Sequence, residues 1–201
     1  MKIIFATHNQ HKLEEVRAIL QQATQAIGGE PLEVYGLDEI GCHEEIPETG
    51  DTLQQNALQK ATYVSEHYGC SCFADDTGLE IDALGGRPGV YSARYAGEPS
   101  DSAANRSKVL DELKGESNRQ ARFRTVIAFI HQNENYFFEG QVEGEMTREE
   151  CGEKGFGYDA IFRPIGYEQT FAQLPSEVKN AISHRGMAMR KFIDFLINLP
   201  K

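Results

Sequence analysis

Asp75 and Asp76 stand side by side after a short apolar run, Cys72-Phe73-Ala74, and are followed by Thr77-Gly78. Adjacent carboxylates at the exit of a buried strand are costly unless a cation or hydrogen-bond donors compensate them. Hard oxygen ligands on rigid backbone are how a magnesium site is commonly built. The other reading of the pair is a turn with helix-capping or surface acids. Downstream, Leu84-Gly85-Gly86-Arg87-Pro88-Gly89-Val90 holds three glycines in five residues, which lets backbone come close to something.

Four further groups could do chemistry. Thr7-His8-Asn9-Gln10-His11-Lys12 lies between an apolar start and a helical stripe, where backbone N–H groups and the positive end of a helix dipole make an anion site. A plain helix cap with a solvated lysine accounts for the same residues. Asn56 and Lys60 lie four apart on one predicted helix, presenting an amide and a cation together or simply a polar face. Glu48, at the lip of that helix, could meet Asp75 and Asp76. Gly155-Phe156-Gly157-Tyr158-Asp159 is a tight loop that could lay a ring on a planar ligand, base stacking being worth about 1–3 kcal/mol, or could be structural. Ser183, His184 and Arg185 crowd donors onto one turn of an acidic chain, as a site or as an ion-paired surface feature.

The elements that must carry these groups follow from periodicity. Lys2 to Ala6 reads as a buried strand, and Leu13, Val16, Leu20, Ala23 and Ile27 as one helical stripe. Leu32 to Leu37 reads as a strand, Asp38 to Asp51 as an acidic connection, and Thr52 to His67 as a helix with Leu53, Ala57, Ala61 and Val64 inward. Pro99 to Asp101 breaks the chain before a helix from Ser102 to Leu113. Ala121 to His131 and Tyr136 to Thr147 read as two long strands joined by a reversal at Gln132 to Asn135, with bends or bulges at Gly140 and Gly144, the hairpin crossing between lobes. Ala160-Ile161-Phe162 is strand-like. The last helix is expected to begin at Glu177, with Met187, Phe192, Phe195, Leu196 and Leu199 on its core side.

Composition sets the class. The 201 residues suit one compact domain or one domain of two lobes, with 40% hydrophobic and 25% charged residues as in ordinary globular chains. A net charge of −11 argues against nucleic acid as a partner, so an anionic ligand needs a local basic pocket or a bridging metal. The apolar start is too short for a signal peptide and no window approaches a membrane span, so the expected setting is cytoplasmic. The four cysteines form no C-x-x-C pair and read as free thiols.

Thr7-x-Asn9-x-x-Lys12, Glu48-Thr49-Gly50, Ala74-Asp75-Asp76-Thr77-Gly78-Leu79, Leu84-Gly85-Gly86-x-Pro88-Gly89-Val90-Tyr91-Ser92-Ala93-Arg94, Gly155-Phe156-Gly157-Tyr158-Asp159 and Ser183-His184-Arg185-Gly186 together resemble, in this order, the inosine/xanthosine triphosphate pyrophosphatase family, also called Ham1. The resemblance runs from the first strand to the last helix. It implies an α/β fold with a long mixed central sheet flanked by helices, a single two-lobed domain over 1–201 with the active site in the cleft between the lobes, and a homodimer. It also implies magnesium-dependent cleavage of ITP, dITP and XTP to monophosphate and pyrophosphate. On that resemblance Thr7, His8, Asn9, Gln10, His11 and Lys12 form the phosphate-binding turn, Glu48 and Asp76 hold the metal, and Asp76 is the proton acceptor. Lys60 and Lys179 contact phosphate, Thr77 is the small hydroxyl residue, Phe156, Gly157, Tyr158 and Asp159 form the base-stacking loop, and His184 and Arg185 read the base edge. His8 stands where many members carry glycine or asparagine. Two other classes are a Maf-type nucleotide pyrophosphatase with a different base preference and a non-catalytic nucleotide-binding module. The set Glu48, Asp75 and Asp76 speaks against the second.

Overall fold

The computed structural model describes residues 2–27 and 33–199. Leu32 and the side chain of Ile27, expected on a strand and on a helical stripe, lie outside the described residues. In chain order the elements are β1 (Lys2–Phe5), α1 (Gln10–Ile27), β2 (Glu33–Tyr35), α2 (Leu53–Tyr68), β3 (Cys72–Ile81), β4 (Pro88–Gly89), α3 (Ser102–Glu112), β5 (Gln120–His131), β6 (Glu134–Met146), β7 (Phe162–Pro164), α4 (Ser176–Ile182) and α5 (His184–Ile197). Among the described residues seven strands form one sheet in the order β2-β1-β3-β5-β6-β7, with β4 paired to β3. β1 runs parallel to β2 and β3, while β3 with β4 and β6 with β7 are antiparallel, so the sheet is mixed, as expected.

The chain divides into two compact units. The first takes the residues up to Asp76, Thr125–Gly140 and those from Arg185 on; the second takes Thr77–Arg124 and Gln141–His184. Strands β3, β5 and β6 therefore each have residues in both, and so does the hairpin of β5 and β6.

Side-chain alternation organises the first unit. Ile3, Phe5, Phe73, Ile127 and Phe129 point to one face of the sheet, where they meet Leu13, Val16 and Leu20 of α1 and Met189, Phe192 and Ile193 of α5. Ala6, Cys72, Ala74, Ala128 and Ile130 point to the other, onto Ala57, Ala61 and Val64 of α2. The rings of Phe5 and Phe73 stack with centroids 4.6 Å apart. Helix α2 starts at a capping box between Thr52 and Gln55 and stops at Gly69, whose φ of 61° only glycine adopts cheaply. In the second unit Leu79, Ile81, Phe123, Val142 and Phe162 from the strands pack with Val109 of α3, with Leu113 just past its end, and with Phe171 and Leu174. Asp101 caps α3 by accepting from the Ala103 and Ala104 N–H groups. Among the described residues no helix is long and apolar enough to cross a membrane.

Five expectations are corrected. β3 does not end at Ala74 but runs ten residues, carrying Asp75 and Asp76 in mid-strand. The reversal after β5 is two residues, Gln132 and Asn133, both at positive φ, so β6 begins at Glu134. Gly144 pairs with Pro164 in an unbroken register against β7, and a Cβ there would lie 2.4 Å from the Arg163 carbonyl oxygen, so it is a close strand approach. The last helix is two: Ser183 leaves helical geometry at φ −72°, ψ 158°, and the restart at His184 puts Ala188, Met189, Phe192 and Ile193 inward. Asp159–Ile161 is likewise a short 3-10 turn before β7.

Candidate active site

The alternation that builds the first core also separates the two aspartates. Asp75 follows Phe73 onto the face covered by α1 and α5, and Asp76 follows Cys72 and Ala74 onto the face covered by α2. Each meets the cations its own helices carry. Asp75 Oδ1 accepts from Lys12 Nζ at 2.8 Å, and its Oδ2 from Arg185 Nε at 3.0 Å. Arg185, fully buried, donates through Nη1 to Glu15 Oε2 at 2.5 Å. Asp76 Oδ2 accepts from Asn56 Nδ2 at 3.1 Å, and its Oδ1 lies 3.9 Å from Lys60 Nζ. The same Lys60 ammonium is bonded to Glu48.

Glu48 is placed by its loop. Thr49 N–H donates to Gln59 Oε1 at 2.9 Å, and Gly50 N–H donates to Asn56 Oδ1 at 2.7 Å, so Asn56 ties the loop to Asp76. A Cβ on Gly50 would fall 2.6 Å from Gln55 Cβ and 2.9 Å from Asn56 Oδ1, which is the physical reason for glycine after Glu48-Thr49. The turn before α1 is fixed locally. Asn9 N–H donates to Thr7 Oγ1 at 3.1 Å, and Asn9 Oδ1 accepts from Lys12 N–H at 3.2 Å, the cap that aims the first turn of the helix. His8 points to Asp38 and the Glu44 carbonyl, and Gln10 to Glu14. His11 is exposed.

These environments push the acids apart. Burial works against the Asp75 charge, but Lys12 and Arg185 beside it outweigh burial and hold the carboxyl well below the usual range. Burial raises Asp76, with Lys60 and Lys12 pulling back. Lys12 is lowered by burial against the pull of Asp75, whereas the Lys60 ammonium, despite burial, is favoured by Asp76 and Glu48.

Glu48 and Asp76 suit a hard divalent cation. Both offer carboxylate oxygens, and one ammonium already touches both, so the place between them calls for positive charge. Among the described residues no group of three or more His, Cys, Asp or Glu side chains could hold a metal. Magnesium is usually bound by one or two carboxylates, with waters and substrate phosphates completing its shell.

The second unit carries an aromatic group. Asp159 Oδ2 accepts from Phe156 N–H at 2.9 Å and from Lys179 Nζ at 2.6 Å, and Lys179 Nζ sits 4.9 Å over the Phe156 ring. Gly155 is obligatory: φ is +72°, and a Cβ would lie 2.1 Å from Asp159 Oδ2. Arg106 donates to the Gly157 carbonyl at 2.9 Å, and the buried Tyr158 hydroxyl donates to the Ser92 carbonyl at 2.7 Å. His184 stacks on Phe123 with centroids 4.6 Å apart.

The residues named from sequence thus fall into two units. In the first, Lys12 and Arg185 meet on Asp75, and Glu48 and Asp76 meet on Lys60; in the second, Phe156, Asp159 and Lys179 come together, and that unit also holds Thr77, half-buried on β3, and His184. The neighbours His184 and Arg185 belong to different units. Glu15, Phe123 and Arg106 are not among the residues named from sequence, and Asp75 and Asn56 are named there only as half of a possible magnesium-binding pair and as an amide beside Lys60. Glu15 could have been found, since it follows Lys12 by three positions on one helix.

A model of the Ham1 family matches residues 3–195. A dITP/XTP pyrophosphatase of Porphyromonas gingivalis is 52% identical over 197 residues, covering 98% of this chain and 97% of its own. That of Bacillus subtilis is 48% identical over 196 residues, covering 96% of each. Among solved structures, a HAM1 protein from Coxiella burnetii superposes with a TM-score of 0.87 at 36% identity, covering 99% of this chain and 100% of its own. The Staphylococcus aureus Ham1 protein gives 0.85 at 37% identity, covering 98% and 99%.

Proposed function

The chain belongs to the Ham1 family, and from that membership we propose that it hydrolyses ITP, dITP and XTP to the nucleoside monophosphate and pyrophosphate, with magnesium as its divalent cation. The observation that carries the reading is Glu48 and Asp76 converging on one cation position, in a chain whose full-length relatives bear the name dITP/XTP pyrophosphatase. Charge supports it. Lys12, Lys60 and Arg185 stand against Glu15, Glu48, Asp75 and Asp76, so a triphosphate would be repelled unless a divalent ion neutralised it.

In this reading Lys12, Lys60 and Lys179 bind phosphate oxygens, and the capped turn Thr7 to Lys12 offers its N–H donors to them. Bound at Glu48 and Asp76, magnesium supplies charge neutralisation and a template for the phosphates. Asp76 orients a water for in-line attack on the α-phosphorus and takes its proton, pyrophosphate leaving. Catalysis is then mainly positioning and charge stabilisation. Phe156, held over Lys179 and Asp159, takes the base, and His184 and Arg185 donate to a 6-keto oxygen. An adenine amino group there leaves a buried donor unsatisfied, and sites of that kind can discriminate by roughly 10⁴-fold.

Pyrophosphate release from ITP, XTP, GTP and ATP, with and without magnesium, tests this. ITP and XTP are expected to exceed ATP by at least about 100-fold in kcat/KM and to need the metal. Equal turnover of ATP, or turnover unaffected by chelation, overturns it, and a preference for other nucleotides points to the Maf-type chemistry instead.

A further inference from the structure

The reaction read for this chain uses Asp76 and leaves its neighbour unexplained. Asp75 is 2% exposed, in mid-strand, with one carboxylate oxygen on Lys12 Nζ at 2.8 Å and the other on Arg185 Nε at 3.0 Å. Arg185 continues to Glu15 Oε2 at 2.5 Å, so the chain Lys12–Asp75–Arg185–Glu15 joins α1, β3 and α5 through charged hydrogen bonds. Alternation puts Asp75 on the face opposite Asp76, Asn56 and Lys60. We propose that Asp75 is a positioning residue and not a metal ligand: its two oxygens fix the Lys12 ammonium for the phosphates and the Arg185 guanidinium for the base edge. This rests on the reading under Proposed function, since it takes those two cations as substrate contacts.

Geometry favours this over a ligand role on two counts. Both Asp75 oxygens are already spent on cations at hydrogen-bond distance, and a metal drawing on either would displace one of them. An ammonium has three donors, so a Lys12 held through one bond to Asp75 keeps a fixed direction for the others. Glu15 performs the same service for Arg185 from the helix side, leaving Asp75 to be shared.

A positioning residue acts through the group it holds, so its loss does not compound with loss of that group. The experiment compares Asp75→Asn, Lys12→Met and the double variant by three readouts: melting of the metal-free protein, kcat/KM on ITP, and the magnesium concentration for half-maximal turnover. Asp75→Asn is expected to lower the melting temperature by about 6 °C or more, because it leaves buried cations short of a partner. The double variant, which removes one charge of each sign, is expected to melt above Asp75→Asn. Asp75→Asn should lower kcat/KM by at least about tenfold, the double variant should lose clearly less than the product of the two single losses, what it loses beyond Lys12→Met being the part Asp75 exerts through Arg185, and half-saturation by magnesium should stay within about twofold of wild type. Where Asp75→Asn does not fold, the magnesium half-saturation of the double variant against that of Lys12→Met decides by itself, the two agreeing within about twofold if Asp75 is no ligand. Losses that multiply, additive melting shifts, or a magnesium requirement raised about tenfold by Asp75→Asn, alone or in the double variant, overturn the proposal. If the wild type released no pyrophosphate from any purine triphosphate, the reading under Proposed function would fall, while the metal-free melting cycle would still decide whether Asp75 holds Lys12.

Discussion

Asp75 and Asp76 differ by one position and by the direction in which their surroundings move them. The folded protein holds Asp75 below its unfolded value, so the unfolded chain binds the extra proton at acid pH. Its stabilisation is complete above about pH 4, the ordinary aspartate value, and is lost as pH falls below it. Asp76 is moved upward by burial, so its ionisation opposes folding at neutral pH. Metal-free Asp76→Asn is therefore expected to melt about 2–4 °C above wild type at pH 7 while losing nearly all pyrophosphate release. Asp75→Asn should melt below wild type at pH 7 by an amount that shrinks toward pH 3. Melting curves of both variants between pH 3 and 7 check the signs, and a destabilised Asp76→Asn would refute them. Lys60→Met supplies a second test. It leaves Glu48 and Asp76 without their shared ammonium, so added magnesium should raise its melting temperature more than that of wild type. Read at the exit of a strand, the pair had no assigned faces; in mid-strand, alternation sends the two carboxylates to opposite sides. Which side held the cations depended on α1 and α5 covering one face and α2 the other, and no local pattern carries that.

Elements were legible where the signal was local. The Thr52 capping box, the Asp101 cap and the Asn9 cap lie at helix starts that periodicity placed correctly. The misplaced ends share a cause: a backbone choice settled by contacts distant in sequence. β3 continues past Ala74 because Lys12, Asn56, Lys60 and Arg185 compensate its acids, and four residues from three other elements are invisible from Cys72-Phe73-Ala74. The last helix breaks at Ser183 although nothing there is proline or glycine. At this scale Gly50 is the informative position. A methyl group there meets Gln55 Cβ and the Asn56 amide that bridges to Asp76, so the loop must shift and take Glu48 with it. Gly50→Ala is expected to cost about 10- to 100-fold in kcat/KM, because a displacement of about 1 Å of a positioned group can cost that much. Its magnesium half-saturation should rise while its melting temperature changes little, the loop being partly exposed. Unchanged magnesium dependence would remove Glu48 from the metal site.

For the molecule as a whole, the sheet makes two cores from shared strands. On β5, Phe123 belongs to the second core, and Ile127 and Phe129 to the first. On β3 the division falls between Phe73 and Leu79. A strand that lost its place in one core would forfeit ladder hydrogen bonds that also carry the other, so neither unit should unfold alone. The chain has no tryptophan, which allows one reporter in each unit: Tyr136→Trp beside the first core and Tyr95→Trp beside the second. Phe129→Ala removes a fully buried ring from the first core and should cost about 3–5 kcal/mol, or roughly 10 °C in melting temperature. Placed in each reporter background, it is expected to lower both tryptophan transitions equally, including the one beside the core it does not touch. A second-unit signal that kept its wild-type midpoint would mean that the strands transmit no stability, and that Asp75 and Asp76 belong to a unit folding independently of the Phe156 loop.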